Sequence, residues 1–272
     1  MEALPCSHRI LLGRADWLHV LAQVSRAQAP AFAGLTQLAL PPAAQLARAV
    51  EHGMPPLDPA QRPAIWRDVL HQLAADLRLD APAATRETLD ALLVASDEHL
   101  EFLADCLLTG EPDAAAVAAL PFVAAALQVV FTRWASQLNV TALQPMAAHN
   151  VCPCCGSPAV ASMLRLDPTI NHPRYLHCSL CNSEWKVSRA LCTHCGSDEE
   201  VALQSLEGSD GLVRAETCDV CKSYLKIIAQ EKAPTADPVA DDLATLALDM
   251  LVDEAGYARS GPNLLLIGAY SG

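Results

Sequence analysis

Ile65, Trp66, Val69, Leu70, Leu73 and Leu77 recur at intervals of three and four residues, the stripe of an amphipathic helix. Asp58, Pro59 and Gln61 ahead of them read as an N-cap, a first helical position and a polar N3 partner, so the helix is predicted to start at Asp58. A second stripe, Leu89, Leu92, Leu93, Leu100, Leu103 and Leu107, has Glu87, Asp90, Asp97, Glu98, Glu101 and Asp105 mostly away from it. Thr85 can cap that helix, and Gly110 with Pro112 can end it. Shorter helices are predicted at 14–28 and 43–52. The run AAAVAALPFVAAALQVVF over 114–131 is broken only by Pro121 and Gln128. Its alanine content makes it a poor membrane span and predicts a buried core helix, with Pro121 in the first turn or at a kink. Residues 1–148 thus read as an all-α helical domain with a polar exterior and no visible catalytic constellation.

The pattern changes at Cys152. Nine of the eleven cysteines and all four lysines lie between Cys152 and Lys232, and prolines at 145 and 234 flank the segment. Beyond it, Asp237 and Pro238 open a predicted helix that runs to Glu254 and stops at Gly256, with Leu243, Leu246, Ala247, Met250 and Leu251 on the face that packs back on the protein. Asp241, Asp242, Asp249, Asp253 and Glu254 read as the solvated face of that helix, and the tail from Ser260 is expected to be mobile.

Composition narrows the function. Hydrophobic residues make up 52% of the 272 residues but aromatics only 4%, so the core is built from Ala, Leu and Val, a mix that favours helices. The formal charge of −13 has the wrong sign for a protein held on phosphate backbones, and 150–232 carries 8 Lys and Arg against 10 Asp and Glu. A nucleic-acid partner is therefore not expected, nor is a zinc-ribbon transcription regulator. The opening MEALPCSHRILLGRADW has neither a basic start nor a sustained apolar run, so no signal peptide and no membrane insertion are expected. With that, the cysteines belong to a reducing, cytoplasmic compartment rather than to disulfides.

Four C-x-x-C pairs carry the chemistry: Cys152 with Cys155, Cys178 with Cys181, Cys192 with Cys195, and Cys218 with Cys221. A shift of 40 positions superposes the first two pairs on the last two, and also Gly156 on Gly196, Ser157 on Ser197, Leu166 on Leu206, Ser183 on Ser223 and Lys186 on Lys226. The segment is an internal duplication. Each copy is a C-x-x-C, 22 residues and a second C-x-x-C. Two residues between cysteines let the chain turn as a knuckle and aim both sulfurs at one ion, and the glycine after Cys155 and Cys195 permits the positive φ that such a turn uses. Four thiolates suit Zn²⁺ or iron. The expected sets are Cys152, Cys155, Cys178, Cys181 and Cys192, Cys195, Cys218, Cys221, two metal ions per chain. Pairing of Cys178 and Cys181 with Cys192 and Cys195 fits the spacing too, but the duplication favours each copy closing its own site. A thiol oxidoreductase would use one C-x-x-C pair at a helix start rather than four in duplicated ribbons. Cys154 has no counterpart, since position 194 is His194, and reads as a bystander thiol; Cys6 and Cys106 read as ordinary residues. Trp185 and Tyr224 are expected to cover the small metal cores. The fold class that follows is multidomain: helices over 1–148, one four-cysteine module over 149–190, a second over 191–232, and a helix with a tail over 233–272.

The stretch RYLHCSLCNSEW over 174–185, followed by Cys192 to Cys195, AETCDVC over 215–221, YLKI from Tyr224, VADDLATLALD over 239–249 and EAGYARS over 254–260, closely resembles the FdhE family of formate dehydrogenase accessory proteins. PPLD at 55–58 is the clearest piece in the helical half. The resemblance implies an all-helical N-terminal domain, two rubredoxin-like metal modules with iron favoured over zinc, and a cytoplasmic, non-catalytic assembly factor. Its implied client is the catalytic subunit of a respiratory formate dehydrogenase, met before export; a rubredoxin-like electron carrier or redox sensor is the alternative. The family's functional cysteine pairs fall on the eight cysteines already named. Cys154 inside the first knuckle is a departure.

Overall fold

The computed structural model describes residues 6–267 apart from 112, 144, 145 and 190, with side chains from Trp17 onward. The Cys6 thiol, Pro112 as a helix stop, the linker at Pro145 and the end of the tail therefore lie outside what is described. In chain order the elements are α1 (Cys6–Gly34), α2 (Ala43–Glu51), α3 (Trp66–Leu77), α4 (Ala83–Val94), α5 (Asp97–Thr109) and α6 (Leu120–Ala135), then β1 (Ala159–Leu164), β2 (Arg174–Cys178), β3 (Glu184–Val187), β4 (Val201–Gln204), β5 (Val213–Cys218), β6 (Ser223–Ala229), α7 (Ala240–Ala244), α8 (Leu246–Glu254) and β7 (Ala258–Arg259). Among the described residues two compact units emerge, one drawn from 6–36, 63–130 and 265–267, the other from 37–62 and 131–264.

In the first unit the predicted stripe of α3 is the buried one: Trp66, Val69, Leu70, Leu73 and Leu77 all face the core. Trp66 Nε1–H donates to the Glu101 carboxylate at 3.0 Å, and Arg67 pairs with both Glu101 and Asp97, which ties α3 to α5. From Phe122 to Val130 every residue of α6 is buried, and Pro121 stands in its first turn. Gln128, the polar interruption, is satisfied there: Gln28 Nε2–H donates to its side-chain oxygen at 3.1 Å. No helix among the described residues is long and apolar enough to cross a membrane.

Several helix boundaries differ from those the sequence predicts. Asp58 caps only a short 3₁₀ turn, accepting from Ala60 N–H at 2.9 Å, and α3 starts eight residues later. Pro63 explains the gap, because its ring forces Arg62 out of the helical region, to φ −57° and ψ 140°. The long stripe ended by Gly110 is two helices: Ala95 is extended, Ser96 caps α5 by accepting from His99 N–H, and Thr85 caps nothing because α4 begins at Ala83. Gly110 does end α5, in the left-handed region at φ 72°. Helix α1 is longer than expected and continues past Pro30.

The second unit is organised by one sheet of seven strands in the order β3-β2-β1-β6-β5-β4, with β7 beside β6. Each cysteine module contributes three antiparallel strands, and the modules join through the parallel pair β1–β6, where Ser162 meets Ile227. The central strands β1 and β6 are buried along their whole length, whereas the outermost β3 and β4 are four residues long, with Glu184 and Lys186 of β3 and most of β4 exposed. Arg174 of β2 is fully buried and reaches Glu216 of β5 at 2.6 Å, Ser162 Oγ at 2.7 Å and the Leu191 carbonyl at 3.1 Å, so one side chain pins the two modules together.

The predicted C-terminal helix is broken at Thr245 into α7 and α8, and of its expected solvated face Asp253 and Glu254 are exposed, whereas Asp242 and Asp249 are not. Asp242 and Asp249 are 0% and 4% exposed. Asp249 takes Lys226 Nζ at 2.5 Å, Arg259 at 3.0 Å and the Tyr224 hydroxyl at 2.8 Å; Asp242 takes Arg259 at 2.6 Å, Lys226 at 3.2 Å and the Asn263 amide at 2.8 Å. Two buried cations thus meet two buried carboxylates, the only arrangement in which such groups stay charged away from water at tolerable cost. The tail from Ser260 is also packed as far as it is described: Ser260 N–H donates to the Tyr224 carbonyl, and Leu264 to Leu266 are buried. A Cβ on Gly261 would sit 1.8 Å from the Ala159 carbonyl oxygen. Gly261→Ala is therefore expected to cost about 1–3 kcal/mol or more, read as a lowered urea midpoint.

Candidate functional site

The structure brings Cys152, Cys155, Cys178 and Cys181 together, and separately Cys192, Cys195, Cys218 and Cys221; within each set the sulfurs lie within 4.8 Å of one another. In each set one knuckle comes from the turn ahead of a strand, and the other from a β-hairpin whose cysteines lie where β2 or β5 turns back into β3 or β6. The turn after every second cysteine uses a left-handed residue: Gly156 and Gly196 in the first knuckles, and Asn182 and Lys222 at φ 56° and 53° in the second. The glycines signal this conformation in the sequence; Asn182 and Lys222 do so only through their position one residue after a ligand-type cysteine. The main-chain bonds repeat as well, with Gly156 N–H donating to Cys152 O at 2.9 Å and Gly196 N–H to Cys192 O at 2.8 Å.

The sulfur positions fit a tetrahedral ion. Sulfurs about 2.3 Å from a common metal stand about 3.8 Å apart. The distances are 3.5 Å for Cys152 to Cys181 and for Cys155 to Cys178, and 3.7 and 3.8 Å for Cys192 to Cys221 and Cys195 to Cys218. Donors surround the sulfurs as a thiolate site requires. Cys154 N–H points at Cys152 Sγ, and Leu180 and Cys181 N–H at Cys178 Sγ, all at 3.4 Å. The duplicated serines also stand at the sulfurs, Ser183 Oγ accepting from the Cys181 thiol at 3.2 Å and Ser223 Oγ lying 3.0 Å from Cys221 Sγ. These hydroxyls are functional neighbours that the repeat makes visible but that cysteine spacing does not.

Crowding splits the acidities of these thiols. Hydrogen bonds from Cys152 and Cys154 hold Cys181 down at about 5, while burial pushes Cys178 well up. In the second set burial pushes Cys218 up to about 12; at Cys221 burial is outweighed by hydrogen bonds from Ser223 and the neighbouring thiols, which bring it down to about 7. A single metal cation bound there would resolve the conflict by stabilising four thiolates at once. The two sets differ in exposure. All four cysteines of the first are buried, whereas Cys195 is exposed and Cys221 half-buried.

The remaining candidates fall outside the two sets. Cys154 is buried, its carbonyl accepts from Leu57 N–H at 3.0 Å, and it is in neither group. Cys106 is buried in α5. His177 is held by Glu184 and Asn182 at 3.3 and 3.1 Å, and His194 is exposed. Trp185 packs against Ala159, Leu176 and Leu225 and donates to His149 O, while the Tyr224 hydroxyl is engaged with Asp249.

Comparison with known proteins matches the chain to three family models: the FdhE N-terminal model over 12–148, the FdhE central domain over 151–189 and the FdhE C-terminal domain over 190–266. Proteins named FdhE homolog from Yersinia enterocolitica and Yersinia pestis are 40% identical over 255 residues, covering 93% of this chain and 82% of theirs. The crystal structure of the FdhE protein from Pseudomonas aeruginosa is 35% identical, with a TM-score of 0.80 over 93% of both chains.

Proposed function

The chain belongs to the FdhE family, and from that membership we propose that it is a non-catalytic accessory factor for a respiratory formate dehydrogenase. It binds the catalytic subunit in the cytoplasm before export and presents two metal-ordered ribbons as a rigid surface. The observation that carries this reading is the duplicated pair of four-thiolate clusters on one continuous sheet. Cys152, Cys155, Cys178 and Cys181 hold one ion and Cys192, Cys195, Cys218 and Cys221 the other, iron being favoured and zinc the alternative. The ion supplies charge neutralisation and cross-links each module; the chain supplies the tetrahedral frame and the N–H and hydroxyl donors around the sulfurs. The helical domain over 1–148 serves as a second contact region or scaffold, in addition to the modules over 149–190 and 191–232 and the segment over 233–272. Affinity purification of the tagged chain from formate-respiring cells is expected to enrich the dehydrogenase catalytic subunit; a purification that never enriches it contradicts the reading.

A second reading, a rubredoxin-like electron carrier or redox sensor, draws on the exposure of Cys195, which puts one sulfur of the second set in contact with solvent. The same asymmetry predicts an order of metal loss. Under a chelator with iodoacetamide, Cys195 is expected to be alkylated about tenfold or more faster than Cys152, because reactivity follows access of the thiolate. Peptide mass spectrometry of the time course checks this, and equal rates would contradict it.

A further inference from the structure

The internal duplication shows what one sheet edge lacks. A shift of 40 positions carries β3, residues 184–187, onto residues 224–227 of β6. In the second copy this edge is covered. Residues 258–259 lie parallel to Ser223 and Tyr224, β1 lies parallel to the stretch from Ile227, and the Tyr224 carbonyl accepts from Ser260 N–H at 2.9 Å. The lysine of that copy, Lys226, is fully buried against Asp242 and Asp249. Among the described residues, β3 ends the sheet in the first copy. Cys178 N–H donates to Ser183 O at 2.9 Å, and antiparallel pairs alternate, so Trp185 and Val187 turn their main-chain groups toward β2 while Glu184 and Lys186 turn theirs outward. Glu184 is paired with Arg165 and His177, but Lys186 is exposed. Beside this edge is a cavity of about 530 Å³, lined by Glu184, Trp185 and Lys186 together with Val140, Leu143 and Cys154.

We propose that the outer edge of β3 is the client-docking site, taking an extended segment of the partner polypeptide that adds parallel to Glu184–Val187, places a carboxylate on Lys186 and turns an apolar side chain into the cavity. The warrant is that the same protein already solves the same problem once: the equivalent edge is filled by parallel extended chain, and the equivalent lysine is answered by aspartates. Strand addition takes its affinity from main-chain bonds and its selectivity from the alternate side chains, here the positive Lys186 and the apolar cavity wall. The cavity borders Cys181 of the first metal set, so a folded first module is a condition for the edge to exist.

This inference rests on the reading of the chain as a factor that binds the formate dehydrogenase catalytic subunit. The test is capture of that subunit by the full chain carrying Lys186→Glu, which reverses the charge, or Lys186→Pro, which deletes an outward N–H without touching the bonds to β2. Metal content and thermal unfolding of each variant verify the fold, and hydrogen exchange of the wild type is followed with and without the subunit. The expected result is about tenfold or more weaker capture by both variants with unchanged metal content, and slowed exchange at Glu184 and Lys186 in the complex. Undiminished capture by well-folded variants, or protection elsewhere but not on β3, overturns the docking site and leaves the broader function standing. Absence of capture by the wild type overturns that function and this site with it.

Discussion

Cys178→Ser is expected to unfold the first module. Its sulfur belongs to the fully buried set, and the module has few large apolar residues of its own: a three-stranded ribbon that buries Val160, Met163, Leu164, Leu176 and Leu180 beside five cysteines. Binding of a structural ion at such a site contributes about 10 kcal/mol or more, comparable with the whole stability of a typical domain of about 5–15 kcal/mol. Serine keeps the size and loses the soft anionic ligand, and it leaves the other three sulfurs crowded without their ion. The effect is expected to reach further than the module, because β1 pairs with β6 and Arg174 of β2 is bonded to Glu216 of β5. Circular dichroism and limited proteolysis check this: the variant is cleaved between 150 and 190 under conditions in which the parent resists. Cys154→Ser, one residue from a ligand, is expected to retain the metal and the fold.

Lys226→Met is expected to lower stability by about 3–5 kcal/mol, the cost of leaving buried charge without its partner. Methionine fills the space of the lysine stem, so packing is largely kept and the loss is electrostatic. Asp242 and Asp249 would then share Arg259 alone, whose guanidinium is desolvated by burial yet held more firmly protonated by these two carboxylates. Urea unfolding measures the loss. Adding Asp249→Asn to Lys226→Met is expected to recover part of it, since the amide still accepts from Tyr224 and Arg259 but carries no charge. An additive double substitution would contradict the buried network as the cause. What the network holds is the seating of α7, α8 and β7 on β6, because its members come from all four elements and the turn that follows.

The parts legible in the sequence are those fixed by local chemistry. Eight cysteines at a repeated spacing announce two knuckle pairs, and the stripe of α3 and the apolar run of α6 announce buried helices. What was not legible depends on partners far along the chain. The acidic residues after Pro238 look solvated because nothing local says that Lys226 and Arg259 will meet Asp242 and Asp249. The breaks at Pro63, Ser96 and Thr245 are local, but apolar periodicity runs through them and hides them; proline sterics and the Ser96 cap decide the first two. The repeat reveals two equal modules, yet whether they join side by side through β1 and β6 is settled by side chains such as Arg174, which the shift of 40 positions places on Arg214 with no hint of its reach to Glu216.

The duplicated cysteines are expected to form two independent metal centres, the first of which supports the docking edge. Elemental analysis of the protein purified without oxygen, set beside Cys192→Ser/Cys195→Ser, tests this most directly. One ion is expected for each of the two sulfur sets, with the second lost in the double variant while the first is retained. No bound metal, or a metal content unchanged by the substitutions, would contradict it.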